Sequence, residues 1–289
     1  MTEQFSTCRI CSDSNLKEHL PITDYFGERE VFNTAICEQC TTVYTVPRPD
    51  EENIIKYYKS NSYKSHGDKK GGIIDKLYSI AQQRNFAYKH KLINKYSFGK
   101  KFLDYGCGAG AFLNHMQTKG YKVSGVEPDA DARNHIASNI PVASDIREHS
   151  KSKFDVITSY HVIEHVHQLM ETMNALSDKL DRNGVFHMAL PNYKSWDAQH
   201  YGEHWAGYDV PRHLYHFSQK SVHTLAQKTG LNIVATHPLV FDSYYVSLLS
   251  EEYRTGSKNY IRAFKNGFVS NRKAKQTGEY SSLIYILTK

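Results

Sequence analysis

The stretch FLDYGCGAGAF, residues 102–112, constrains this chain more than any other. A short apolar run ends in Asp104, and Gly106, Gly108 and Gly110 follow at alternate positions. That order specifies a strand, a tight turn and a helix, because glycines let a backbone turn sharply and approach a ligand closely. Residues Gly106-Cys107-Gly108-Ala109-Gly110-Ala111 satisfy the loose G-x-G-x-x-G/A pattern. Glu127 ends the next apolar run, about twenty residues on, where an acid that holds a ribose belongs. Both features suit a dinucleotide and an adenosyl ligand alike.

Asp104 separates the two. It stands at the mouth of the strand, two residues before the first glycine. A carboxylate there would repel a pyrophosphate in a poorly solvated crevice. S-adenosylmethionine brings an ammonium and a sulfonium instead, and a carboxylate attracts both. Asp145 and Ile146, after a third short apolar run, supply an acceptor for the adenine amino group and an apolar face for the ring. Acids at the ends of three successive strands suit a positively charged adenosyl ligand.

From residue 101 strand and helix patterns alternate. KFLDYG, YKVSGVEP, VASDI, FDVITSY, GVFHMALP, LNIVATHP and EYSSLIYILTK read as strands, with helical segments between most of them. The expected fold is α/β, a Rossmann-like, mostly parallel, doubly wound seven-stranded sheet. A helical insertion over about 241–277 separates the last two strands. Residues 99–289 form this domain and 49–98 a helical linker or lid.

Residues 1–48 carry a different signature. Cys8-x-x-Cys11 and Cys37-x-x-Cys40 are two knuckles in one short segment, the pattern of a small zinc ribbon with four thiolate ligands. The fifth cysteine, Cys107, lies in the glycine turn. With all four positions filled by protein the zinc is structural. Disulfides are the rival reading, but no basic, apolar leader opens the sequence, and a cytoplasmic chain keeps its thiols reduced.

LDYGCGAGAF, VEPD, SDI and FDVITSYHVIEHV together resemble the successive motifs of class I S-adenosylmethionine-dependent methyltransferases, over roughly residues 99–240. The resemblance implies that Asp104, Gly106, Cys107, Gly108 and Gly110 surround the methionine part. It places Glu127 on the ribose, Asp145 and Ile146 on the adenine, and Tyr160 and His161 beside the sulfonium. The cysteine head and PRHLYHFS also resemble bacterial glycan and natural-product methyltransferases, among them sugar C-methyltransferases with a similar zinc-binding head. Those enzymes place a catalytic Tyr and a Glu-His pair in the equivalent stretch. Here His213 falls on the histidine, but Arg212 replaces the glutamate.

The segment YGEHWAGYDVPRHLYHFS, residues 201–218, leaves the fifth strand on the side where such sheets bind substrates. His213 is the expected base, since histidine titrates near neutral pH. Tyr208 and His204 are further catalytic candidates, and Trp205 and Arg212 candidates for holding the acceptor. Tyr63 and His66, in YYKSNSYKSH, are candidates for a lid over the cofactor. HVIEH, residues 161–165, fits an inverted zinc-peptidase pattern, but it follows a buried strand in the cofactor segment, so Glu164 and His165 are read as shaping the cleft.

The net charge is +6, and ten Lys/Arg crowd residues 64–101. Solvated helix faces account for this, and so does a phosphate-bearing acceptor. The expected partner is a small molecule or glycan. An RNA acceptor and a non-catalytic cofactor-binding module are the alternatives. No cysteine follows Cys107 to attack a pyrimidine, and no Asn/Asp-Pro-Pro-Phe/Tyr tetrad follows the fourth strand, which disfavours nucleobases. No run of apolar residues is long enough to span a membrane.

Overall fold

The structure, a computed structural model, describes residues 2–58, 73–149 and 152–289. The head contains β1 (Thr2–Glu3), β2 (Leu16–Thr23), β3 (Val31–Cys37), β4 (Val43–Thr45) and β5 (Arg48–Pro49). Helices α1 (Ile55–Tyr58) and α2 (Ile73–Tyr96) lead to the large sheet. There β6 (Lys101–Tyr105), α3 (Ala111–Thr118), β7 (Lys122–Val126), α4 (Ala130–Asn134), β8 (Val142–Ala143) and β9 (Phe154–Tyr160) follow in turn. Next come α5 (Leu169–Lys179), β10 (Leu180–Pro191), α6 (Trp196–Tyr201), β11 (Tyr215–His216), α7 (Gln219–Lys228) and β12 (Asn232–Pro238). The hairpin of α8 (Asp242–Thr255) and α9 (Tyr260–Thr277) precedes the last strand, β13 (Ser282–Thr288).

Seven strands lie in the order β12-β13-β10-β9-β6-β7-β8. Neighbours from β10 to β8 are parallel, and β13 runs antiparallel to both β10 and β12. In the parallel core β9 and β10 are buried on both faces, as a sheet covered by helices on both sides requires. The winding reverses between β6 and β9, so a crevice opens at their C-terminal ends. The third strand shrinks to two residues, because Ser144 and Asp145 turn the chain by donating their backbone N–H groups to the Glu148 carboxylate.

The head is not a free-standing bead. Its four-stranded sheet has the order β11-β4-β3-β2, so Tyr215 and His216, far along the chain, complete it. Buried Arg48 pairs with Glu3 at 2.9 Å, and its guanidinium lies 5.3 Å from the Tyr215 ring centre. Cys8, Cys37, Cys40 and Tyr44 share one apolar cluster with Leu103, Ile157 and Phe186 of the large sheet. Among the described residues no helix is long and apolar enough to cross a membrane.

Candidate functional site

The crevice is a cleft of about 920 Å³, lined by Gly106, Glu127, Asp145, Ile146, His161 and His165 and covered by Ile54, Ile55 and Tyr58 around α1. Its floor follows from the glycine turn. Gly106 has φ +77°, and a Cβ there would come within 2.3 Å of Val162. Gly108, φ +53°, has open space where a side chain would stand. Its N–H donates to Glu127 Oε2 at 2.9 Å, which ties the turn to the end of β7.

Asp104 is buried at the end of β6 and accepts a 2.6 Å hydrogen bond from Thr158 Oγ1. Burial raises its pKa to about 6, against the pull of Thr158 and Lys89. Lys89, from α2, is itself buried, with Nζ 3.9 Å from the Tyr160 ring centre. Burial lowers its pKa, while Asp242 and Asp104 oppose that loss of charge. Asp145 grips Arg147 through both carboxylate oxygens, which keeps it ionised. The Cys107 side chain packs beside Gly125, and burial pushes its thiol up to about 12. The Cys107 side chain is thus part of the packing beneath the turn.

Beyond the turn, His161 sits in the left-handed region at φ +59°, a strained setting for a histidine. Its Nε2 lies 3.1 Å from Asp242 Oδ2 and its Nδ1 3.6 Å from Glu164 Oε1. Burial alone would lower its pKa, but these two carboxylates hold it at about 9, so the ring is protonated at neutral pH. His165 is the opposite case: burial, then the nearby His213, lower it to about 4. His213 Nδ1 donates to Gly207 O at 2.9 Å, which leaves Nε2 free to accept. That nitrogen lies 4.0 Å from both Glu164 Oε1 and Asp209 Oδ2. Glu164 is buried and remains ionised despite that burial, and neither of its oxygens has a hydrogen-bond partner among the described residues.

Other sequence candidates lie elsewhere. Arg212 is buried, with its guanidinium on Asp24 at 2.8 Å, Asp209 at 2.7 Å and Tyr57 O at 3.2 Å. It locks the head to the large domain and does not line the cleft. Trp205 is buried with Nε1 donating to Asp197, and Tyr208 packs edge-on against it. His204 stands beside Tyr25, 6.0 Å between ring centres, away from the cleft. Tyr63 and His66 lie outside the described residues. Sequence reasoning missed Lys89 and Asp242. Lys89 sits in a basic helix read as solvent-facing, and Asp242 looks like an ordinary first-turn acid, so neither carried a local signal.

In the head the four cysteines converge. One ligand atom from each lies within 4.8 Å of the others, with Cys8–Cys40 and Cys11–Cys37 sulfurs 3.5 Å apart. The Cys11 and Cys40 backbone N–H groups donate back to Cys8 Sγ and Cys37 Sγ. Such donors stabilise thiolates.

Strand order, the reversed last strand and the glycine crevice define a methyltransferase sheet. A family profile described as "Methyltransferase domain" matches residues 78–236, more than half of the chain, and the chain belongs to that family. A ubiquinone biosynthesis O-methyltransferase of Glaesserella parasuis is 33% identical over 110 residues, covering 33% of this chain and 47% of that protein. Its namesake in Idiomarina loihiensis is 27% identical over 185 residues, covering 58% and 75%. The chain spans about half the length of the first curated relatives it matches. In structure it resembles magnesium protoporphyrin IX methyltransferase of Synechocystis PCC 6803 with bound SAH, at TM-score 0.53 and 13% identity, over 83% of this chain and all of that one (100%).

Proposed function

We propose that the chain transfers a methyl group from S-adenosylmethionine to a small-molecule or saccharide acceptor, at oxygen or carbon. One observation carries the reading: Asp104 lies buried at the end of β6, two residues before Gly106, which lines a cleft with room for a nucleoside. An arriving ammonium would offset the cost of ionising that carboxylate. In this reading Glu127 accepts from the ribose hydroxyls, Ile146 packs on adenine with Asp145 at its amino group, and Lys89 meets the methionine carboxylate. Tyr160 and His161 wall the transfer point.

When bound, the cofactor supplies an electrophilic methyl on sulfur. The protein's own part is alignment, exclusion of water and removal of a proton. His213 Nε2 takes the acceptor proton, and Glu164 and Asp209 stabilise the imidazolium that results. His161, already protonated, holds Glu164 and Asp242 in place and does not compete as a base. The O-methyltransferase names of the relatives favour oxygen as the acceptor atom.

In the head we read a structural zinc site. Four thiolates around one ion at bonds of about 2.3 Å would stand roughly 3.8 Å apart, close to the separations present. Cys8, Cys11, Cys37 and Cys40 fill every position, so no chemistry is assigned to it. Five unpaired cysteines suit a reducing compartment, and we place the chain in the cytoplasm. Calorimetry with S-adenosylmethionine, S-adenosylhomocysteine and NAD tests the cofactor, and elemental analysis tests for one zinc per chain. Binding of NAD with no response to either adenosyl compound would overturn the methyltransferase reading.

A further inference from the structure

The hairpin between β12 and β13 has two unlike sides. On its inner side Ala263, Asn266, Gly267, Ser270 and Ala274 are buried, and a Cβ at Gly267 would come within 2.7 Å of the Tyr244 ring. On its outer side α9 presents Ile261, Phe264 and Phe268, which are 86%, 65% and 53% exposed. Their spacing of three and four residues makes one continuous stripe. Phe264 stacks on Tyr244 with ring centres 5.2 Å apart, and Phe241, at the start of α8, is 43% exposed.

Cations outnumber acids beside that stripe, although Lys258 and Arg262 face Glu252 and Glu251 of α8 at 3.7 Å. Between residues 258 and 278 there are six Lys/Arg (Lys258, Arg262, Lys265, Arg272, Lys273 and Lys275) and no Asp or Glu.

We infer that this outer face of the α8–α9 hairpin docks on an anionic lipid surface. An exposed aromatic and aliphatic stripe bordered by cations is the pattern of a helix that lies in the headgroup region. A second copy of the chain fits poorly, since Lys265, Arg272, Lys273 and Lys275 would face their own counterparts. A nucleic acid would meet the cations but leave Ile261, the most exposed of the three, without a partner. The docking stands apart from the chemistry assigned to the cleft, so failure of either leaves the other in place.

Flotation of the full chain with vesicles tests it, comparing phosphatidylglycerol–phosphatidylcholine mixtures with phosphatidylcholine alone. The chain should float with the anionic vesicles and stay behind with the neutral ones, with binding falling at high salt. The variant Ile261→Gln/Phe264→Gln/Phe268→Gln should bind at least about tenfold more weakly while remaining folded and keeping its cofactor affinity. The charge variant Lys265→Glu/Arg272→Glu should lose anionic selectivity. Equal flotation of wild type and triple variant would overturn the proposal. So would a wild-type dimer in sedimentation that the triple variant abolishes, or binding to single-stranded RNA but not to vesicles.

Discussion

The two ends of the cleft are built by different rules. At the cofactor end, Asp104, Gly106, Gly108 and Glu127 come from one strand–turn–helix–strand unit, and backbone conformation does most of the positioning. Behind the other end, which His161 lines, Glu164, Asp209, His213 and Asp242 come from three separate segments, and buried charge does the positioning. The first end selects a ligand by shape and sign. The second keeps His161 protonated and His165, four residues on, neutral.

The sharpest way to break this division is His213→Ala. If His213 belongs only to the second end, turnover should fall by about 10²–10⁴-fold, while S-adenosylmethionine affinity stays within about twofold. Single-turnover kinetics beside calorimetry reads both. Unchanged turnover would remove His213 from the chemistry and return the proton to solvent.

The converse test is Asp104→Asn, which should weaken the cofactor by roughly tenfold or more without touching the histidines. The pH dependence is the more telling readout. The Asp104 pKa is raised to about 6 in the protein without cofactor, so affinity in the wild type should fall as pH drops through 6. In the Asn variant that dependence should vanish. A flat wild-type profile would mean that Asp104 is not the ammonium partner.

How far the sequence could foresee these ends follows the same split. The glycine turn after β6 and the seven-stranded sheet were legible because each lies in a short pattern that the local backbone enforces. The converging cysteines were legible for the same reason. Arg212 was not: its letter suggests an anion site, yet Asp24, nearly two hundred residues away, claims its guanidinium. The head's dependence on Tyr215 and His216 is equally hidden, because a two-residue strand has no periodicity to read. Glu164 and His165 were assigned to the cleft, but His213 meets them only through tertiary packing, as Asp242 meets His161.

Lys89 joins the two ends and gives a smaller, more selective effect. Its ammonium feels both Asp104 and Asp242. In Lys89→Met the affinity for S-adenosylmethionine should drop by about five- to tenfold, in line with loss of one charge-assisted contact. Decarboxylated S-adenosylmethionine, which lacks the group Lys89 would meet, should bind wild type and variant alike. Equal losses for both ligands would mark Lys89 as a packing residue for Tyr160 instead.

The smallest effect concerns stability and isolates the second end. His161 keeps its proton up to about 9 in the folded protein, against an ordinary value of 6.5. A raised folded value means that the stabilisation is fully present below about 6.5, declines as pH rises, and is gone above about 9. Glu164 and Asp242 shift the other way, with ordinary values of 4.5 and 3.8, so their share is lost only in acid, below about 4.5. The difference in melting temperature between wild type and His161→Gln should therefore be largest between about pH 4.5 and 6.5 and shrink toward zero near pH 9. Taking the difference cancels the contribution of His165, which is neutral in the folded chain and weakens it in acid. A gap that stays constant from pH 6 to 9 would show that His161 acts through packing and its left-handed backbone, not through the carboxylates it faces.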